Sequence, residues 1–164
     1  MDRVWAPWRL QYVIGPKPVE GCVFCQAEST DARDALLLFE GRTCYVVLNL
    51  YPYNNGHLMV VPYRHVASLS RLDAEELAEI GTLTQRAEIA LNEAYQPQGI
   101  NIGINLGRSA GAGILEHLHV HAVPRWTGDT NFMTVVGNAR VLPEELGASA
   151  ARLRPIFARL AAAQ

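Results

Sequence analysis

Charge is scarce in this chain and nearly balanced: 18% of its 164 residues are Asp, Glu, Lys or Arg, and the formal net charge is −2. With no basic stripe to neutralise a phosphate backbone, polymeric nucleic acid is a poor match as a partner. Small phosphorylated ligands stay open, since a few local donors suffice for them. Long apolar runs are missing too, and none approaches the ~20 residues of a membrane span. The opening Met1-Asp2-Arg3-Val4-Trp5 lacks the charged-then-apolar layout of a secretory signal. Cysteine occurs three times, an odd number that builds no disulfide framework. These absences predict a cytoplasmic protein that touches no membrane. No internal repeat or low-complexity linker interrupts the chain, and its length predicts one domain with a real core.

Histidine is sparse as well, yet three of the five fall at His117, His119 and His121. They alternate with Leu118, Val120 and Ala122 at the period of a strand with one buried face. The aliphatic residues then point into a core and the imidazoles line the other face. With a rise of roughly 3.3 Å per residue, neighbouring histidines sit ~6.6 Å apart, close enough for two to flank one phosphate. Imidazole serves near neutral pH as nucleophile, proton carrier or metal ligand. Two uses compete: all three gripping a catalytic metal, or one attacking phosphorus while its neighbours bind the phosphate.

Residues 1–20 carry Trp5, Trp8 and Tyr12 among prolines and read as an aromatic arm that packs on the domain or on a second subunit. Gly21-Cys22-Val23-Phe24-Cys25 is a Cys-x-x-Cys knuckle, and Asp31 to Leu38 reads as a short helix or an irregular link. Thr43 to Asn49, rich in β-branched and aromatic residues, predicts a strand. Pro52 and Asn54-Asn55-Gly56 turn it back into a second strand, His57 to Pro62, as an antiparallel pair. Asp73, with Glu76 three residues on, predicts a capping box. The helix that follows has a stripe of Leu77, Ile80, Thr84, Ala87, Leu91 and Ala94, and Pro97 and Gly99 end it. Ile100 to Leu106 predicts another strand, and Gly107 to Gly113 a loop before the histidines. The tail over 142–164 is helical in pattern, with Pro155 expected to kink or divide it. The layout is α+β: an antiparallel sheet with one long helix and a C-terminal helix.

His-x-His-x-His followed by two apolar residues, Pro124 and Arg125 resembles the active-site strand of the histidine triad (HIT) superfamily of nucleotide hydrolases and transferases. The resemblance runs from Cys22 to about Val141, so the HIT-like domain is expected over 21–141. Pro124-Arg125-Trp126 and Gly128-Asp129-Thr130-Asn131-Phe132 resemble the bacterial branch related to diadenosine tetraphosphate phosphorylases. That resemblance implies nucleotidyl transfer or hydrolysis on dinucleoside polyphosphates, with purine nucleotides preferred, through a nucleotidyl-histidine intermediate. Covalent catalysis of this kind splits one displacement into two. His119 is implied as nucleophile, His121 as phosphate contact, and His117 as the supporting or metal-binding histidine. The nucleophile needs a free lone pair facing phosphorus, so its other ring nitrogen must be held as a donor.

The family also implies nucleotide-binding roles for Asn49 on the ribose and Asn105 near the phosphate. Val47 and Leu48 are candidates for an apolar wall against the base, and Trp126 for stacking or closure. The loop residues Gly111, Ala112, Gly113 and Ile114 fall where the family surrounds the phosphates, and a run of amides there can cradle oxygens. Related enzymes often place side-chain donors where this chain has Gly113 and Ile114. Backbone amides, Ser109 or Arg108 are left as substitutes.

Cys22 and Cys25 have the spacing that lets two thiolates share one zinc, which then needs two further ligands. Zinc-containing relatives imply His65 and His117, giving a closed structural site and leaving the chemistry without a required metal. Cys44, within a strand, reads as merely buried. A homodimer is expected from the family. A nucleoside phosphoramidase, or a nucleotide-binding protein without turnover, are the alternative functions.

Overall fold

Alternation along each strand decides which side chains meet the helices and which meet the histidines. The computed structural model describes residues 21–26, 35–129 and 144–163. The arm expected over 1–20, the first residues of the link expected from Asp31, and the motif residues Thr130 to Phe132 lie outside them. In chain order the elements are α1 (Val23–Gln26), β1 (Leu37–Glu40), β2 (Cys44–Leu48), β3 (Leu58–Pro62), α2 (Ala74–Tyr95), β4 (Gly99–Ile104), β5 (Val120–Arg125) and α3 (Leu146–Ala162). The five strands form one sheet in the order β1-β2-β3-β5-β4, antiparallel at every pairing, so the expected α+β architecture is what forms.

One face of the sheet is covered by helices: α2 packs on β2, β3 and β5, while α3 packs on α2 and β1. Val46, Leu48, Leu58, Val60, Val120 and Ala122 project into that core, joined by Ile80, Leu83, Leu91, Leu153 and Phe157. The opposite face carries a smaller apolar cluster of Phe24, Tyr45, Val47, Met59 and Val61. Register explains the split, since Val47 pairs with Met59 and Met59 with His121, all on the histidine side.

The capping box forms as expected, with Asp73 accepting from the Glu76 amide and Glu76 reaching back to the Asp73 amide. The stripe is rotated from the expected one: Leu77 is 53% exposed, whereas Glu76 and Leu83 are buried. The reason is electrostatic. Glu76 turns inward to close the box and to take two hydrogen bonds from Arg64, so its neighbour turns out. About six turns later α2 ends on Gln96 in the left-handed conformation, just before Pro97.

Two further expectations change. Leu37 and Leu38, read as helix or link, belong to β1, which pairs with β2 across an irregular register. Helix α3 runs through Pro155 without a break. Leu153 on one side of the proline and Ile156 and Phe157 on the other are all buried in the core, so packing holds both halves despite the lost backbone donor. Among the described residues no helix is long and apolar enough to cross a membrane.

Candidate active site

His117 and His119 lie on the approach to β5 and His121 within it. The approach is pinned to the segment that follows β3, since the Leu118 amide donates to Val66 O at 2.6 Å. Leu118 buries on the helix side, which forces its two histidine neighbours to the other face. There they are covered, not solvated: His119 is only 6% exposed, with the Phe24 ring 5.1 Å from its own. The His119 and His121 rings meet edge to face at 4.7 Å.

Hydrogen-bond partners set the protonation of each ring. A carbonyl oxygen can only accept, so His119 Nδ1 donates to His117 O at 2.8 Å and Nε2 keeps its lone pair. His117 likewise donates from Nε2 to Pro62 O at 2.8 Å, leaving the Nδ1 lone pair for a metal. A fourth histidine completes the set. His57 is fully buried, and its Nδ1 accepts from the Tyr53 amide at 3.0 Å. Its proton therefore sits on Nε2, which donates to His121 Nδ1 at 3.0 Å. His121 in turn must carry its own proton on Nε2, as a donor. Burial pushes the imidazoles of His117, His119 and His121 down, and that of His121 to about 4, so all three are neutral at pH 7.

Sequence reasoning missed His57 as a functional residue. The signal was present: His57, Met59 and Val61 alternate with Leu58 and Val60, which places His57 on the triad's face. Phe24 and Tyr53 were missed as well. The Tyr53 ring lies 4.6 Å from that of His57 and 5.8 Å from that of His121.

Cys22, Cys25, His65 and His117 converge, their ligand atoms all within 4.8 Å of one another. His117 Nδ1 is 3.2 Å from Cys22 Sγ, and His65 Nδ1 is 3.3 Å from Cys25 Sγ. Two sulfurs and two imidazole nitrogens at this spacing form a donor set that a tetrahedral metal accepts, and His117 already aims a lone pair into it. The geometry does not favour the competing use, one metal gripped by all three triad histidines: His119 Nδ1 is taken by a carbonyl, and His121 Nδ1 by His57.

The candidate nucleotide-binding residues divide. Val47 lies on the histidine face, and Ile114 packs beside it in the same apolar cluster. Leu48 does not join them; it is a correction, because period two turns it into the helix-side core at 1% exposure. Asn49 closes the turn after β2, accepting from the Tyr51 amide at 2.9 Å, and its side-chain nitrogen lies 3.3 Å from His57 Nδ1. In the glycine loop the Gly111 and Ala112 amides are spent on Arg108 O and Gly107 O, so these two do not form the expected phosphate cradle. Trp126 follows β5 half-buried, its amide donating to Asp129.

Asn105 lines a cleft of about 370 Å³ over β4 and β5, together with His121, Tyr53 and Asn101. The cleft therefore opens onto the donor ring of the triad.

Residues 31–128 match the HIT domain family model. An AP-4-A phosphorylase of Mycobacterium tuberculosis is 43% identical over 155 residues, covering 89% of this chain and 79% of that protein. A bis(5'-adenosyl)-triphosphatase of Dictyostelium discoideum is 28% identical, over 76% of this chain and 87% of that one. Among solved structures, a Zn-bound histidine triad family protein from Mycobacterium smegmatis superposes with a TM-score of 0.68 at 28% identity, covering 87% of this chain and 97% of its own. With the family model covering more than half of its length, this chain belongs to the HIT family, as an enzyme of the histidine triad type that resembles AP-4-A phosphorylase.

Proposed function

We propose that this enzyme cleaves dinucleoside polyphosphates, in the manner of a diadenosine tetraphosphate phosphorylase, through a nucleotidyl group carried on His119. The carrying observation is the 2.8 Å bond from His119 Nδ1 to His117 O, which leaves Nε2 as a nucleophile without any proton transfer beforehand. In the first step Nε2 forms a bond to the α-phosphorus while the phosphoanhydride bond on its far side breaks. The departing nucleoside polyphosphate takes the electron pair. The Nε2–H of His121, fixed by His57, is placed to meet charge on the phosphoryl or leaving oxygen. In the second step an oxygen of inorganic phosphate or water attacks the same phosphorus and the P–N bond breaks, returning the lone pair to His119.

Cys22, Cys25, His65 and His117 are the residues that would hold zinc, and the closed four-ligand set supplies structural support only. Their own contribution is to fix His117, whose carbonyl orients the nucleophile. Asn49 is the proposed ribose contact and Val47 with Ile114 part of the base wall. A homodimer, formed in the cytoplasm, belongs to the same reading. The exposed Ile102 on edge strand β4 supports it.

The test is intact mass after mixing with diadenosine tetraphosphate. The unaltered chain gains one adenylyl group and His119→Gly gains none; equal adduct in both overturns the assignment. Products formed with and without inorganic phosphate then separate phosphorolysis from hydrolysis. A second reading, a nucleotide-binding protein without turnover, draws support from Ile114, which packs into the apolar cluster and offers no side-chain donor.

A further inference from the structure

We propose that Cys22 and Cys25 are an oxidative modification site: a peroxide joins them as a disulfide, which empties the metal set and loosens the nucleophile's support. The consequence for catalysis rests on the reaction proposed above; the chemistry at sulfur does not.

The local geometry admits the bond. The Cys25 amide donates to Cys22 O at 3.1 Å, closing a turn that brings the two α-carbons within ~7 Å of each other. Disulfides span about 4.4–6.8 Å between α-carbons, so rotation of the side chains supplies most of the closure. Both thiols are free, and their sulfurs lie no more than 4.8 Å apart. They are also within reach of solvent. Each cysteine is half-buried, Val23 between them is 52% exposed, and the neighbouring His65 is exposed. Cys44 is the contrast: it is fully buried, and burial pushes its thiol up to about 11, which leaves it protonated and unreactive.

Hydrogen peroxide is the oxidant. One thiolate attacks a peroxide oxygen, the O–O bond breaks, and hydroxide leaves behind a sulfenic acid. The second thiolate attacks that sulfur, the S–O bond breaks, and a second hydroxide leaves. Two electrons pass from the sulfurs to the peroxide, and two protons from solvent turn the hydroxides into water. A divalent metal keeps its charge throughout. Disulfide sulfurs are no longer thiolates, so two of its four ligands are gone.

Two contacts carry the change to the triad. His117 Nδ1 faces both sulfurs, 3.2 Å from Cys22 and 3.5 Å from Cys25, while the carbonyl of the same residue holds His119 Nδ1. Phe24 sits between the two cysteines in sequence, and its ring lies 5.3 Å from that of His117 and 5.1 Å from that of His119. Drawing the sulfurs together therefore removes the partner of His117 and shifts the ring that covers the nucleophile.

The experiment treats the full chain, loaded with zinc, with a modest excess of hydrogen peroxide. A chromogenic chelator reads released zinc, alkylation after unfolding maps the remaining thiols, and NMR of the isotope-labelled imidazoles reads His117 and His119. Zinc is expected to leave, alkylation to mark Cys44 alone, and both ring signals to shift. Formation of the nucleotidyl adduct slows at least about tenfold, as for a lost support of a metal-site residue. A thiol reductant with added zinc restores every reading. Alkylation that still marks Cys22 and Cys25, retained zinc, an unmoved His119 signal, or damage that the reductant leaves in place overturns the proposal. A reduced, zinc-loaded chain that forms no adduct removes the nucleotidyl reading instead, and the thiols, the zinc and the ring signals then decide the modification site.

Discussion

His57 Nε2 and His121 Nδ1 stand 3.0 Å apart, and that contact decides which nitrogen of His121 carries the proton. His57→Ala frees the His121 ring to take the other tautomer. The expected result is a fall of about a hundredfold in kcat with the zinc content unchanged, in the range of a lost acid–base group. His57→Gln, which keeps a donor, recovers part of it. Steady-state kinetics on both variants check this; equal loss in the two would make His57 a packing residue only.

Gly56 precedes His57 with φ +74°, and a Cβ there would lie 2.8 Å from Tyr95 Cε2. Gly56→Ala therefore meets both backbone strain and a clash, costing about 1–3 kcal/mol. Denaturant unfolding reads the loss of stability. The nucleotidyl adduct should form more slowly as well, since the turn that delivers the Tyr53 amide to His57 is displaced.

One equivalent of zinc per chain is expected by elemental analysis. Cys25→Ser should lower that content, lower the melting temperature, and slow adduct formation at least about tenfold through the displaced His117 carbonyl. Full metal content in the variant would remove Cys25 from the ligand set.

Glu144 gives the pH dependence of stability. Burial pushes its carboxyl up, but hydrogen bonds from Arg152, Tyr95 and Ser149 outweigh burial and bring it down to about 2. A carboxyl with a lowered folded pKa stabilises fully above its unfolded value near 4.5, and that contribution is lost as pH falls toward 2. Glu144→Gln should thus cost about 2 kcal/mol at pH 7 and much less near pH 2. Melting curves across this range check the sign: a cost that grows on acidification would contradict it.

The triad, the capping box and the Cys-x-x-Cys knuckle were legible because each is a short pattern whose spacing carries its geometry. Val47 and Leu48 show where that stops. Both are apolar, and only the pairing of Val47 with Met59 reveals which of them faces His121. The glycine loop misled for a related reason: backbone amides look available in sequence until the turn at Arg108–Ala110 consumes them. Pro155 read as a break because propensity is local, whereas the burial that holds α3 together is not. His57 was readable by alternation, yet its role depends on a partner 64 positions away.

His117 does two jobs with one residue, its ring turned to the thiols and its carbonyl to the neighbouring imidazole. Anyone redesigning this scaffold without its knuckle would therefore have to rebuild the backbone course at that point before any reactivity could return.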